Sequence, residues 1–442
     1  MGHPPERLAV RRRPVDDGMF ESIRPRKKNP FMKSLFIVAP APYPPTSGTP
    51  MRSWQNINIL ATRGPVHVLS VGGREPGDYT MPIVAEWVHL DNATFPAKGG
   101  VRSLLTRLLT QRQYSVPDVL ATSAINKQLR AVIERVKPDI IVLSHWKHGY
   151  PTPLKQHDNV ILDMHNIESL LGTDMKDVKS PFVRAFLSWR WRARERALIR
   201  NVSRTWVCGV NDAAELRRLD ARLPAPIVWP NAIDLAYYAD VWAGQIALPA
   251  GLQRNGATVI YVGFYSYEPN GAAATELIQK IAPMIFARIS AARFIFVGGG
   301  PTTLMKDAAQ RDSRIIVTGK VEDVRQYLAL ADLCVVPLRT GGGTRLKILE
   351  CFAAKIPVVS TPKGVEGIDA VAGRDIRIAD STEALAGDAL ELLLDADARR
   401  RQADAAYELV RRSYSWSSLA KQLDSALPPS AGTTEPSLTH GV

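Results

Sequence analysis

Cysteine is scarce in this chain of 442 residues: three occur, Cys208, Cys334 and Cys351, each alone in an apolar stretch. Lone, widely spaced cysteines exclude a disulfide framework and a Cys-x-x-Cys metal or redox motif, and they read as reduced core residues. Long hydrophobic runs are lacking too. Runs such as 140–143 and 334–337 are far shorter than the ~20 residues of a membrane span. The basic start is followed by prolines and acids in place of an apolar stretch, so no secretory signal is read and a cytoplasmic location is expected. No Gly-x-Gly-x-x-Gly follows a strand-like run with an acid downstream, which disfavours a nicotinamide-dependent dehydrogenase.

Acids are outnumbered, 43 against 56 Lys and Arg, for a formal charge of +13. The first 33 residues hold nine of the basic residues against four acids. The proline-bearing tail 1–32 has no hydrophobic period and is expected to be disordered, ahead of a natural-looking start at Met32-Lys33. The Ser/Thr/Pro/Gly-rich end, 428–442, is expected to fray. Such a balance suits nucleic acid or anionic lipid. The chain lacks the aromatic and basic signatures of the common nucleic-acid modules, so no nucleic-acid partner is expected. Two stretches, 101–112 and 184–204, mix arginine with leucine, phenylalanine and tryptophan. They either lie on an anionic membrane surface or bury their apolar sides in the core.

What is present is a 45% hydrophobic content, enough for two or three domains, and a strand-helix alternation that runs twice. The first series has strand-like runs at 35–40, 66–71, 87–90, 140–143, 160–163 and 205–210, with helical stretches at 51–61, 124–136 and 181–200. After a boundary near 224–230 the pattern restarts. Strands at 258–262, 294–297, 315–318, 333–337 and 358–360 follow a helix-strand rhythm, then helices at 385–410 and 416–427. Alternation of this kind implies parallel βαβ units. The expected fold is α/β: two Rossmann-like doubly wound domains, 33–225 and 226–410, facing across a cleft, with ligands at the strands' carboxyl ends. A helix at 411–427 is expected to cross back to the first domain.

The segment 341–350, GGGTRLKILE, links a strand to a helix. Backbone N–H groups at a helix start lack internal partners, and glycines let a ligand come close, so the loop suits an anion. Arg345 and Lys347 add positive charge suited to a diphosphate. Glu350, further along the helix, suits two adjacent ribose hydroxyls. The alternative is a glycine loop before an ordinary helix.

With CFAAKIPVVST and GVEGI following, the segment resembles the second-domain motif of the family 4 retaining glycosyltransferases, which have the two-Rossmann GT-B fold. The family's first glutamate is replaced here by Gly342, as in a sub-group carrying GGGTR. Pro230-Asn231-Ala232-Ile233-Asp234 resembles its PNGVD, and Val262-Gly263 its strand end before a phosphate-binding Arg and Lys, but FYSYEPN follows here and both cations are missing. The resemblance covers roughly residues 33–427.

By that resemblance, Glu350 holds the ribose. Gly342, Gly343, Thr344, Arg345 and Leu346 surround the donor phosphate, with Lys347, Gly263 and Asn231 beside them, and Lys320 in the loop that holds the base. Arg345 and Lys347 are the expected replacement cations. In the loop 42–52, Gly48 and Thr49 are expected to meet phosphate or acceptor, and Arg52 the acceptor side; a plain turn is the alternative. His165, in DMHNIE, stands where the family places a histidine against the donor sugar near the reacting carbon, and Asn166 lies on the acceptor side. His145, His148 and His157 read as structural.

The resemblance implies transfer from a UDP- or GDP-sugar to a hydroxyl of a glycan, lipid-linked glycan or small metabolite, with retention, without metal and without a cofactor. In front-face attack the donor's phosphate oxygen takes the acceptor proton, which leaves positioning and charge stabilisation to the protein. A nucleotide-sugar epimerase of the same fold is the second enzyme reading, and a non-enzymatic basic protein binding nucleic acid or membrane the third. Asp395-Ala396-Asp397 resembles a metal motif but lies in a helical region and reads as a solvated helix end.

Overall fold

The computed structural model describes residues 31–43, 45, 48–72, 83–90, 118–146, 150–167, 169, 180–254, 256–341 and 345–428. The tail 1–30, the stretch 101–112, His148 and the end 429–442 lie outside them. The strands are β1 (Ser34–Val38), β2 (Val66–Val71), β3 (Val84–Leu90), β4 (Ile140–Ser144), β5 (Val160–Asp163), β6 (Arg204–Val207) and β7 (Ile227–Val228), then β8 (Thr258–Val262), β9 (Arg293–Val297), β10 (Ile315–Gly319), β11 (Leu333–Val336), β12 (Val358–Ser360) and β13 (Arg377–Ile378). The helices are α1 (Gly48–Ala61), α2 (Asp118–Val136), α3 (Pro181–Arg200), α4 (Val210–Leu219), α5 (Leu235–Trp242), α6 (Glu268–Glu276), α7 (Ala282–Arg288), α8 (Thr303–Arg311), α9 (Arg325–Leu328), α10 (Leu346–Ala353), α11 (Thr382–Leu394), α12 (Ala396–Leu409) and α13 (Trp416–Ala426).

Two sheets result, with orders β3-β2-β1-β4-β5-β6-β7 and β10-β9-β8-β11-β12-β13. Every strand pair is parallel. The two orders share one winding: the chain builds outward from the first strand, then returns to its other side. Strands such as SLFIV, IIVLS and RFIFV are buried along their whole length because helices cover both faces. Parallel pairing puts all carboxyl ends of a sheet on one edge, and reversal of direction at β1/β4 and at β8/β11 opens a crevice there.

The chain leaves the first sheet after Val228 and returns near Tyr414. Ile233 N–H donates to the Tyr414 carbonyl at 2.7 Å and Trp416 N–H to the Ile233 carbonyl at 3.2 Å, so the two crossings run side by side. The final helix α13 then packs on the first domain. Leu419, Leu423 and Ala426 join a core cluster with Ile57, Leu60, Trp206 and Trp229, and Trp206 Nε1 donates to the Ala426 carbonyl at 2.9 Å.

Some boundaries differ from the sequence expectation. The run 385–410 is broken at Asp395, whose Oδ1 accepts from the N–H groups of Asp397 and Ala398 at 2.9 and 2.8 Å and so starts α12. The Asp-x-Asp triplet is this cap. The helical stretch after β8 starts at Glu268 and carries one π-turn, Leu277–Ile281, before α7. Val210, read as strand, opens α4 instead. The three cysteines are free and buried.

Candidate active site

The edge of the second sheet is shaped by close backbone approach. Gly298, just past β9, has φ +135°, and a Cβ there would overlap the Gly263 carbonyl oxygen at the end of β8. Glycine is therefore required at 298 because two strand ends nearly touch. Gly298→Ala is expected to lower stability by about 2 kcal/mol or more, measured as a drop in denaturant midpoint.

Beyond this contact, Gly263 faces the helix α10. A Cβ on Gly263 would meet Asn270 at 3.0 Å and the Lys347 ammonium at 3.3 Å. Lys347 Nζ donates to Tyr261 Oη at 2.9 Å and to Asn270 Oδ1 at 2.8 Å, and it lies 4.1 Å from the centre of the Tyr261 ring. Burial lowers its pKa to about 7, more than the negative groups around it raise it. An ammonium has three donors, and these contacts use two. Lys347 thus reaches across from α10 to the end of β8.

Glu350, one turn further along α10, accepts from Tyr238 Oη of α5 at 2.7 Å. Burial raises its pKa, partly offset by the Tyr238 hydroxyl and Lys347. Arg345 is 7% exposed, and its Nη2 donates to the Gly341 carbonyl at 2.8 Å, so the guanidinium folds back on its own loop. Burial lowers its pKa. Gly342, Gly343 and Thr344 lie outside the described residues. Lys320 is exposed, with its Cβ 3.8 Å from the position of a Cβ on Gly299. Phe264 stands between them and Gly263 at 59% exposed, a large apolar ring at a strand end that sequence reasoning passed over.

The first domain closes the cleft. Gly48 and Thr49 form the first turn of α1, earlier than the start expected at 51, and a Cβ on Gly48 would lie 3.8 Å from Leu346 Cδ1 at the start of α10. The two glycine loops singled out in the sequence, more than 290 residues apart, therefore meet. A second bridge runs from Asn211 Nδ2 to Glu366 Oε1 at 3.1 Å.

Below Gly48 lies a buried polar network. Arg52 donates from Nε and Nη2 to Asp163 Oδ1 at 2.9 and 2.7 Å, and from Nη1 to Asn231 Oδ1 at 3.0 Å. Asp163 Oδ2 accepts from Asn56 at 2.9 Å and from Ser144 at 2.8 Å, and His165 Nε2 lies 3.1 Å away. Burial works against the Asp163 charge, yet Arg52, His165 and Ser144 hold its carboxyl well below the usual carboxylate range. Gln55 adds two bonds to the crossing, donating to the Pro230 carbonyl and accepting from Ala232 N–H.

Two of the expected site residues belong to this network. Arg52, expected on the acceptor side, is 1% exposed and is the buried counter-ion of Asp163. Asn231, expected beside the donor, is buried in the crossing, where its Oδ1 accepts from Arg52. Both are so because the end of β5 and the crossing lie against the same face of α1. The His165 ring is 6% exposed and engaged with Asp163 and Ser144, and its carbonyl accepts from Cys208 Sγ at 3.4 Å. Burial pushes the Cys208 thiol up to about 12, which keeps it protonated. His165 and Asn166 line a small depression with Trp146, Trp191 and Arg194.

Two doubly wound domains thus carry, where they meet, a buried lysine and a buried carboxylate on one helix. Residues 256–395 match the model of the family described as Glycosyl transferases group 1. The phosphatidyl-myo-inositol mannosyltransferase of Mycobacterium leprae is 26% identical over 278 residues, covering 60% of this chain and 71% of that protein. The GDP-mannose-dependent alpha-(1-6)-phosphatidylinositol monomannoside mannosyltransferase of Mycobacterium tuberculosis is 31% identical over 171 residues, covering 34% of this chain and 42% of that protein. Among solved structures, the sucrose-phosphate synthase of Thermosynechococcus elongatus superposes with a TM-score of 0.64 at 17% identity, over 89% of this chain and 98% of that one. The fold is GT-B, and the chain is a glycosyltransferase that draws on a nucleotide-sugar.

Proposed function

We propose that the chain transfers a hexose from a UDP- or GDP-sugar to a hydroxyl acceptor, with retention and without a metal ion, the donor lying on the second domain and the acceptor on the first. The carrying observation is the position of Lys347. Its ammonium stands beside Asn270 and Gly263, where the resembling family places a cation of its own after the strand. A diphosphate over Gly263 then meets Lys347 and the N–H groups at the start of α10, with Arg345 adding to the field, so its charge is met by protein groups alone. Glu350 takes the ribose hydroxyls, its other partner Tyr238 fixing the carboxylate's direction. Lys320 and Phe264 flank the base and ribose.

Relatives whose names specify GDP-mannose and phosphatidylinositol support a guanine nucleotide and a lipid-borne acceptor here. His165 orients the sugar from its place in the Asp163 network. Proton NMR of slow donor hydrolysis tests the chemistry. Release of nucleoside diphosphate with a sugar that keeps the donor's anomeric configuration supports the reading. Conversion of the donor to an epimer, with no nucleotide released, replaces it with an epimerase.

A further inference from the structure

Helix α3 ends in the core but does not begin there. Leu198 and Ile199 are buried, whereas Phe182 is 85% exposed, Phe186 46% and Trp189 63%. Residues spaced four and three apart share a helix face, and the Phe186 and Trp189 rings lie 6.0 Å apart. Arg190 and Arg192 fall on either flank of that face, one and three residues beyond Trp189. The helix carries six arginines against one acid, Glu195. Arg196 and Arg200 are tied to the domain, through the Leu219 carbonyl and Asp220, while Arg192 is exposed.

The glycosyltransferase reading supplies the context. We propose that the first half of α3 seats on the anionic surface of a lipid bilayer, Phe182, Phe186 and Trp189 entering the headgroup boundary and the arginines meeting lipid phosphates, and that a lipid-linked acceptor is handed from that surface to the active site. An apolar face with aromatic rings, bordered by cations, is the pattern of an interfacial helix. The second half of the same helix supports the path. Trp191 and Arg194 line the depression that reaches His165 and Asn166, so the helix that touches lipid also walls the acceptor side. Arg194 lies over the Trp191 ring at 5.7 Å, so the two side chains pack together in that wall.

Flotation of the full chain with phosphatidylcholine vesicles, with and without phosphatidylglycerol and at low and high salt, tests this. The wild type is expected to float with the anionic vesicles and to lose binding at high salt. The variant Phe182→Ser, Phe186→Ser, Trp189→Ser is expected to bind about tenfold more weakly or worse. Its donor-induced thermal stabilisation should be unchanged, showing that it folds. Residues 1–32 are common to both proteins, so the difference between them belongs to α3. Equal flotation of wild type and triple variant, or no flotation of either, overturns the proposal. So does a wild-type dimer that the variant dissolves without any vesicle binding, which assigns the face to a second copy. Failure of the glycosyltransferase reading shows separately, as vesicle binding without stabilisation by any nucleotide-sugar.

Discussion

Replacing Lys347 by methionine is expected to weaken nucleotide-sugar binding by about 10- to 100-fold, with little change in unfolding temperature. A hydrogen bond to a charged group contributes about 1.5–3 kcal/mol, and each 1.4 kcal/mol is tenfold in affinity. Tyr261 and Asn270 already hydrogen-bond each other at 3.0 Å, so removal of the amine leaves them paired. The pH dependence gives a second signature. Burial holds Lys347 near a pKa of about 7 in the free protein, and a bound diphosphate favours its charged form. Binding then takes up a proton, so wild-type affinity is greatest below about pH 7 and falls as the pH rises above it. Lys347→Arg keeps the charge at all these pH values and is expected to flatten the profile. Titration calorimetry across this range checks both. An Arg345→Ala, Lys347→Ala double variant with unchanged donor affinity would remove the cation assignment altogether.

The second large effect is on stability. Arg52→Met or Asp163→Asn alone is expected to cost about 3–5 kcal/mol, because either leaves a buried charge without its partner. The double variant should lose less than the sum, and the coupling is read from chemical denaturation of all four proteins. Since the Asp163 carboxyl is held below the usual range, its contribution is present at every pH above about 4 and disappears only in stronger acid. Activity should also fall in the single variants, because Arg52 and Gln55 anchor the crossing at Pro230, Asn231 and Ala232 that joins the domains.

The contrast between these two residues shows what sequence carries. Strands such as 160–163, 258–262 and 358–360 were legible to the residue, because strands buried on both faces are short apolar runs ended by polar or glycine residues. The two-residue strands β7 and β13 have no pattern to read, and the break at Asp395 hides inside a continuous helical composition. In the site, glycines and the Lys-x-x-Glu spacing of α10 were visible because they act within one short segment. Arg52 looked like a free loop cation, since nothing local says that Asp163, 111 residues away, lies against the same helix. The same limit hid Tyr238 behind Glu350 and Asn270 beside Lys347.

The central claim is that the start of α10 and the end of β8 hold a nucleotide-sugar. Thermal unfolding of the full chain against UDP-, GDP-, ADP- and dTDP-sugars tests it most directly. At a donor concentration about a hundredfold over Kd, binding adds about 2.7 kcal/mol of stability, and one base should raise the unfolding temperature by several degrees above the others. No stabilisation by any of the four, with the protein folded, contradicts it.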